Sequence, residues 1–516
     1  MGNIVVDNTI EFLKDESTGE LVGYKRKDGT ERGIATTVTD PLTGGISYIA
    51  NGTSYAPTAE LTNQSGLRRF KAALSSAEYQ PVRVNCLGDS ITLGTYSNDS
   101  SIPVDSVADA QGYVGRLRSM LARRFGANAA GFIGANDSRN TLSGTGAVTS
   151  SVGPIINTVR TDNTTSLGAA LPLPVAATIT IPVPACTNIE IIYLDSSANS
   201  AAGGIGASTG TFSYNVDATG ATTTTVDNTN PINYKRISIS GLSNAAHSLV
   251  LTGVSGTCYI YGIFYHSNSG VVVSRFGLGG GTCLDLTGEG VVTHLSTGAV
   301  QRILGSIGPS AAPVIITGSV TTGSAVVTGI SSTSGIVAGM PVGASAQLAL
   351  PCFVKSVDSS SQITLTAAAT GDNAARTMFV GAGTTLAADL WIIPIGHNDW
   401  QQQNSAYPTT IAVFKAQMQR IIDQIVNAGG CVLLVGEPKS NTISPSPETS
   451  AIDAYWTAID DLAKANTHVA AMQINKRWGS FDDAKALGLL SVAGGVHPLK
   501  KGSATMAADI FGALTS

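Results

Sequence analysis

A serine stands where a buried strand is expected to end. Residues 82–87 read Val-Arg-Val-Asn-Cys-Leu, which predicts a strand, and Gly88, Asp89 and Ser90 follow directly. Open α/β sheets place their ligand sites beyond the carboxyl ends of the strands. A hydroxyl at that position could be a nucleophile if a base and oxyanion donors lie beside it. The tripeptide alone is common and is more often a polar turn than a nucleophile.

Three further groups of residues lie at predicted strand ends or in a loop. The run 396–399, Gly-His-Asn-Asp, follows a strand predicted at 390–395. The glycine-rich run 275–282 follows a strand predicted at 271–274. The run 495–498, Gly-Val-His-Pro, lies in a loop before the last predicted helix. Together these loops offer an imidazole, an amide side chain and glycine backbone, which are the groups that acyl transfer requires.

The elements around these loops alternate between strands and helices. Apolar residues at helical spacing predict helices at 113–125, 411–426, 452–463 and 503–514, and apolar runs predict further strands at 431–435 and 469–474. Strand–helix–strand order with short connections predicts a parallel sheet with helices on both faces. The fold class is therefore α/β.

Long β-rich stretches interrupt that alternation. The stretch 165–270 has strands at about ten-residue spacing, which is typical of a β-sandwich. The stretch 311–385 is rich in Thr, Ser, Ala and Gly and is nearly uncharged. We therefore predict a β-rich N-terminal segment at 1–65, an α/β domain in three parts at 66–164, 271–310 and 386–516, a β-sandwich insert at 165–270 and a small β insert at 311–385.

Composition narrows the functional classes. The net charge of −5 argues against a nucleic-acid partner. No apolar stretch reaches the length of a membrane span, so no membrane partner is expected. The six cysteines are scattered without C-x-x-C spacing, which indicates neither a zinc site nor a disulfide framework. Buried free thiols are favoured, a Cys186–Cys258 pair stays open as the alternative, and we expect no metal and no cofactor.

Taken in chain order, the four runs resemble the four blocks of the SGNH, or GDSL, hydrolase family. The resemblance covers the α/β portions, a little over half of the chain. It implies that Ser90 is the nucleophile and that its own N–H donates to the oxyanion. It also implies a second backbone donor at Gly280 (Gly277 if the loop register differs), a side-chain donor at Asn398 and a base at His497.

The histidines support the same base by elimination. Of the six, His497 alone combines a loop position in one of the blocks with a following proline, Pro498, which restricts the path of the loop. His397 is the alternative base. His397, Trp400 and Tyr96 are also the candidates for the substrate-binding wall of the pocket.

The acid of the usual triad is missing from its place. The family usually has Asp three residues before the histidine, where this chain has Gly494. Three explanations stand: a Ser–His dyad oriented by a backbone carbonyl, an acid from elsewhere, or an impaired site. The candidate acids from elsewhere are Asp482, Asp483 and Glu437. Loss of the orienting acid can cost about 10⁴ in rate while binding survives.

The two β inserts resemble modules of bacteriophage tail fibres and tailspikes. That resemblance implies a homotrimer that binds other tail proteins and removes O-acetyl groups from a bacterial surface polysaccharide. It implies a virion location after synthesis in the cytoplasm, since the N-terminus has no signal-peptide pattern. One alternative is a glycan receptor-binding protein with a vestigial esterase site. A lipase-like bacterial esterase is disfavoured because a secretion signal is lacking.

Overall fold

A computed structural model describes most, but not all, of the 516 residues. The described residues are 2–7, 10–14, 21–26, 31–33, 36–39, 46–50, 53–55, 61–95, 111–126, 131–134, 149–150, 171–195, 209–226, 233–277, 280–287, 307–308, 314–336, 341–343, 348, 352–380, 388–401, 409–439, 449–490 and 495–515. They divide into two compact units, Met1–Leu61 with Met506–Ser516, and Thr62–Thr505.

The first unit contains two small antiparallel sheets. Their strands are β1 (Gly2–Asp7), β2 (Ile10–Lys14), β3 (Leu21–Arg26), β4 (Glu31–Gly33), β5 (Thr36–Thr39), β6 (Ile46–Ala50) and β7 (Thr53–Tyr55). One sheet has the order β1-β2-β3-β4 and the other β5-β6-β7. Each is built by pairing of strands that are consecutive in the chain, as expected for segments joined by short turns.

The remaining strands belong to the second unit. They are β8 (Pro81–Gly88), β9 (Gly131–Gly134), β10 (Thr149–Ser150), β11 (Leu171–Pro174), β12 (Thr178–Asp195), β13 (Thr209–Val216), β14 (Thr222–Val226), β15 (Asn233–His266), β16 (Gly270–Gly277), β17 (Ile307–Gly308), β18 (Val314–Val320), β19 (Val326–Val327), β20 (Pro341–Gly343), β21 (Cys352–Ser359), β22 (Gln362–Leu365), β23 (Asn373–Val380), β24 (Leu390–Pro394), β25 (Cys431–Gly436) and β26 (Val469–Gln473).

The helices stand mainly between the strands of the α/β portions. A 3₁₀ turn at Gln64–Leu67 precedes α1 (Arg68–Leu74), followed by α2 (Ser90–Leu93), α3 (Tyr113–Phe125), α4 (Cys283–Thr287), α5 (His397–Gln401), α6 (Ile411–Asn427), α7 (Thr449–Ala465), α8 (Ile474–Trp478), α9 (Phe481–Ala486) and α10 (Lys500–Thr515). The four helices predicted from apolar spacing are confirmed as α3, α6, α7 and α10, each within a few residues of its predicted ends.

Five parallel strands form the sheet that positions the site. Their order is β16-β8-β24-β25-β26. The first of them in the chain is β8, the next, β16, pairs with one edge of β8, and β24 pairs with its other edge. Every residue of β16, β24, β25 and β26 is buried, which requires that both faces of the sheet are covered. The predicted parallel α/β sheet is confirmed. Because the direction of winding reverses at β8, the carboxyl end of β8 is the topological switch point where such sheets bind ligands.

One face of this sheet packs against α6 and α7. Phe414, Met418 and Ile425 recur at helical spacing along α6, and all are buried in a cluster that includes Trp391 and Ile393 of β24. Burial of a side chain of this size contributes about 1.5–3 kcal/mol. The packing fixes β24, and with it the loop that follows, relative to the helices.

Antiparallel sheets occupy the two β-rich stretches. The larger has the order β10-β12-β15-β13-β14, with β9, β11 and β17 also paired to β15. Strand β15 pairs with β12 through two of its segments, since Asn188 of β12 pairs with both Ser240 and His266. The smaller sheet has the order β18-β23-β20-β21-β22-β19. Each has its own buried apolar cluster. The domain boundaries given above stay predictions.

All six cysteines are buried and free, so the Cys186–Cys258 alternative is wrong and the free-thiol expectation is confirmed. Among the described residues, no helix has both the length and the apolar character needed to cross a bilayer.

Candidate active site

Ser90 is held by a tight turn at the end of β8. Asp89 is the N-terminal capping residue of α2, and its Oδ1 accepts a hydrogen bond of 2.8 Å from the Ile91 N–H. Gly88 allows the close approach of neighbouring chain, because a Cβ there would lie 2.7 Å from the Pro394 carbonyl oxygen of β24. The turn leaves Ser90 partly exposed while its neighbours are buried. Ser90 is therefore the accessible hydroxyl at the switch point.

His497 reaches that hydroxyl from a distant part of the chain. Its Nε2 lies 2.8 Å from Ser90 Oγ, although the two residues are 407 positions apart in sequence. With Nε2 unprotonated, the Ser90 O–H donates to it, which is the arrangement of a serine nucleophile and its base. The loop is anchored beside this contact by a β-bridge between Leu490 and Pro498. The structure thus brings together the predicted nucleophile and base.

Asn398 connects the turn before Ser90 with the glycine-rich loop. Its Nδ2 donates to Asp89 Oδ2 at 2.7 Å and to the Gly281 carbonyl oxygen at 3.1 Å. Both N–H groups of the amide therefore have acceptors. To donate to an oxyanion, the amide must break one of these two hydrogen bonds. The bond to the Gly281 carbonyl oxygen is the longer of the two. The role of Asn398 as an oxyanion donor stays a prediction, whereas its position between the two loops is observed.

The predicted backbone donor lies in the same loop. Gly280 has φ of +73°, a left-handed conformation that favours glycine over other residues. Gly277, the alternative, ends β16, and a Cβ there would lie 2.5 Å from the Leu93 backbone nitrogen. Close packing of β16 on α2 therefore accounts for a glycine at 277. Gly280 as the oxyanion donor stays a prediction.

Two buried carboxyl groups accept hydrogen bonds from backbone N–H groups at the end of the glycine-rich loop. Asp399 Oδ1 accepts from the Cys283 N–H at 2.9 Å, and Asp285 Oδ2 accepts from the Thr282 N–H at 2.9 Å. Burial raises the pKa of Asp399 to about 7. The loop that carries Gly280 is thus tied to α5, the short helix that carries Asn398.

A buried acid that the sequence suggested only as an orienting group forms part of this network. Glu437 follows β25 directly and is completely buried. Its Oε2 accepts from the His397 N–H at 2.9 Å, and its carboxyl lies beside that of Asp89. Burial, and then the charge of Asp89, raise the pKa of Glu437 well above its ordinary value. Burial raises the pKa of Asp89 to about 7.

The three candidate replacement acids are thereby located. Glu437 contacts Asp89 and the His397 backbone, Asp483 forms a capping box with Ser480 at the start of α9, and Asp482 is exposed on α9. Position 494, where the family usually has Asp, lies outside the described residues. The choice between a triad, a dyad and an impaired site therefore stays open.

The proposed pocket-wall residues are more buried than expected. His397 is 3% exposed and Trp400 is 7% exposed, and their rings lie 6.0 Å apart. Burial, and then the nearby His497, lower the pKa of His397 to about 4, so this ring is neutral near pH 7. Such burial leaves little of either side chain for a substrate, and their substrate-binding role stays a prediction. Tyr96 lies outside the described residues.

A parallel sheet with a serine–histidine contact at its carboxyl edge, accompanied by antiparallel sheets, is consistent with the SGNH esterase fold. No family model and no curated protein matches the chain. Among solved structures, one titled "Peptidoglycan O-acetylesterase in action, 5 min" has a TM-score of 0.50 at 13% identity, with 87% of this chain and 97% of that chain covered. That similarity establishes the shared mixed α/β fold.

Two further solved structures match with lower TM-scores. A family two carbohydrate esterase from Cellvibrio japonicus has a TM-score of 0.23 at 9% identity, with 74% of this chain and 96% of that chain covered. A Corynascus thermopiles family 2 carbohydrate esterase with a carbohydrate-binding domain has a TM-score of 0.24 at 11% identity, with 67% and 95% covered.

Proposed function

We propose that this chain is a serine esterase of the SGNH type that removes acyl groups from a carbohydrate. The 2.8 Å contact between Ser90 Oγ and His497 Nε2 at the switch point of the sheet is the observation that carries the proposal. The geometry offers a nucleophile, a base and a glycine-rich loop around one point. These are the parts that ester hydrolysis through a covalent intermediate requires.

In the proposed mechanism, Ser90 Oγ attacks the carbonyl carbon of the ester while His497 Nε2 takes the hydroxyl proton. The oxyanion that forms accepts hydrogen bonds from the backbone N–H groups of Ser90 and Gly280, with Asn398 as the side-chain donor. Collapse of the tetrahedral intermediate expels the sugar alcohol, which takes the proton from His497. Water, deprotonated by His497, then attacks the acyl-enzyme, and the carboxylic acid leaves with Ser90 restored.

As the substrate we propose an O-acetylated bacterial surface polysaccharide. The fold similarity to a peptidoglycan O-acetylesterase supports a carbohydrate ester. The resemblance of the inserts to tail-fibre modules supports a phage tail protein that is a homotrimer in the virion and binds other tail proteins. A glycan-binding protein with a vestigial site is the second candidate, favoured by Gly494 where the family usually has Asp.

Acetate release from capsule or O-antigen of a susceptible strain tests the proposal. We expect Ser90→Ala to abolish release, because it removes the nucleophile. Ser75→Ala is the matched control, since Ser75 is an exposed residue whose hydroxyl contacts only the Ala72 carbonyl oxygen of α1 among the described contacts. Glycan binding without turnover of any acetylated glycan or of p-nitrophenyl acetate would favour the second candidate instead.

A further inference from the structure

Glu437 lies between two of the loops that form the site. It follows β25, while the turn of Ser90 follows β8 and the turn of Asn398 follows β24. The side chain is completely buried. Its Oε2 accepts from the His397 N–H at 2.9 Å, and its carboxyl lies against that of Asp89. Both turns are therefore attached to one carboxyl group.

Two carboxyl groups in contact must share a proton. Two buried carboxyl groups in contact cannot both be ionised, because their like charges repel. A hydrogen bond between them needs one O–H donor. Asp89 is the acceptor of the pair, because it already accepts from the Ile91 N–H and from Asn398 Nδ2. Burial and the adjacent Asp89 charge both raise the pKa of Glu437, which assigns the proton to Glu437.

The other titratable neighbours favour the same assignment. Asp399 adds a further buried carboxyl group whose charge raises the pKa of Glu437. His397, whose backbone Glu437 contacts, has a pKa lowered to about 4 and gives no positive charge near neutral pH.

We propose that Glu437, as a neutral carboxylic acid, is a positioning residue of the esterase site. Its O–H donates to Asp89 and its carbonyl oxygen accepts from the His397 N–H, and together these bonds fix the separation of Ser90 and Asn398. Glu437 acts through these neighbours and touches no substrate. This role differs from that of an orienting acid for His497, which would require an ionised carboxylate. The inference rests on the proposed esterase function.

Two variants with different hydrogen-bonding capacity test the inference in the full chain. Glu437→Gln has an N–H donor and a carbonyl acceptor, so it reproduces both bonds of a neutral acid. Glu437→Leu has a similar volume and neither group. With p-nitrophenyl acetate, we expect E437L to lower kcat about 10²-fold with KM nearly unchanged, as for a misplacement of about 1 Å. We expect E437Q to retain at least about tenfold more of kcat than E437L.

Infrared spectroscopy provides a readout that does not depend on turnover. The difference spectrum between wild type and E437Q near neutral pH should contain the C=O band of a protonated carboxyl group, present only in the wild type. Glu190→Gln is the matched control, because Glu190 is a buried glutamate on β12, outside the site. If wild type hydrolyses no ester, the proposed function fails, while this band still reports on the state of Glu437.

Three results would overturn the inference. A kcat in E437Q as low as that of E437L would show that the negative charge of Glu437 is required. An unchanged kcat in E437L would show that the site does not need its bonds. Absence of the protonated band from wild type would show that Glu437 is ionised. Should E437L not fold, the infrared band and the activity of E437Q relative to wild type decide the question.

Discussion

Asn398 is the side chain through which the nucleophile turn and the glycine-rich loop are joined. Its Nδ2 atom donates one hydrogen bond to Asp89 and another to the Gly281 carbonyl oxygen. Loss of the amide therefore has two effects, since it releases both loops and removes the proposed side-chain donor to the oxyanion. Both effects reduce the rate of the chemical step.

We expect Asn398→Ala to lower kcat about 10²–10³-fold with p-nitrophenyl acetate, the usual cost of one oxyanion donor. Steady-state kinetics with separate kcat and KM checks this expectation. Asn268→Ala is the control, because Asn268 lies in the exposed turn between β15 and β16 and contacts Asn188. A kcat for N398A equal to that of wild type would contradict the role of Asn398 in the site.

The resemblance of the four loop runs to the SGNH blocks, with the elimination of the other histidines, was sufficient to predict the Ser90–His497 contact. Ser90 follows a recognisable strand at the place where the switch-point rule locates ligand sites, whereas His497 lies in a loop before the last helix. The role of Glu437 could not be predicted in this way. A glutamate after a strand is ordinarily ionised and solvated, and only the packed structure shows that Glu437 is completely buried. The same holds for the burial of His397 and Trp400, which a loop position does not indicate.

At the scale of elements, the antiparallel sheet contains a histidine in an unusual environment. His247 of β15 has Nδ1 2.6 Å from Asp217 Oδ2, and its Nε2 lies 2.9 Å from the Ser243 carbonyl oxygen. Acceptors at both ring nitrogens require that both carry protons, so the ring is an imidazolium. The hydrogen bond to Asp217 is the main cause that raises the pKa of His247 above 6.5.

This raised pKa makes the stability of the sheet dependent on pH. The contribution of His247 is complete below its unfolded pKa of 6.5 and is lost as the pH rises through the higher folded value. We expect His247→Gln to reduce the free energy of unfolding more at about pH 5.5 than at about pH 8.5. Urea unfolding of both proteins at each pH measures the difference. An equal loss at both pH values would contradict an imidazolium.

Elements with strong apolar periodicity were predictable, whereas their pairing partners were only partly so. Helix α3 begins at Tyr113 and ends at Phe125, as its spacing indicated, because one apolar stripe and a following glycine specify it locally. Strands β9 and β10 are short, and their pairing with β15 and β12 depends on distant partners. Non-local pairing of such short segments leaves no periodic signal in the sequence.

At the scale of the whole molecule, buried acids make the stability of the α/β portion decrease as the pH rises toward neutrality. Burial raises the pKa values of Asp89 and Asp399 to about 7, and that of Glu437 also rises. A folded-state pKa above the unfolded value means that the native state retains protons which the unfolded chain has released. The free energy of unfolding should therefore fall as the pH rises from about 4 to about 7.

Asp399→Asn tests this dependence by removing one of the three groups. We expect the slope of unfolding free energy against pH to become shallower by at most about 1.4 kcal/mol per pH unit in that window. Asp358→Asn is the control of opposite sign, because hydrogen bonds from Ser356 and Thr364 lower the pKa of Asp358, whose contribution is lost only as the pH falls. Equal slopes for wild type and D399N would contradict the prediction.

The distance in sequence between Ser90 and His497 has a consequence for the order in which the protein is made. A ribosome that adds about 5–20 residues per second needs roughly 20–80 s to cover the 407 positions between them. Throughout that time the nascent chain contains the serine but not its histidine. The proposed ester cleavage can therefore begin only after His497 has been synthesised and its loop has met the end of β8. The appearance of activity during translation would thus time the last step of folding rather than the first.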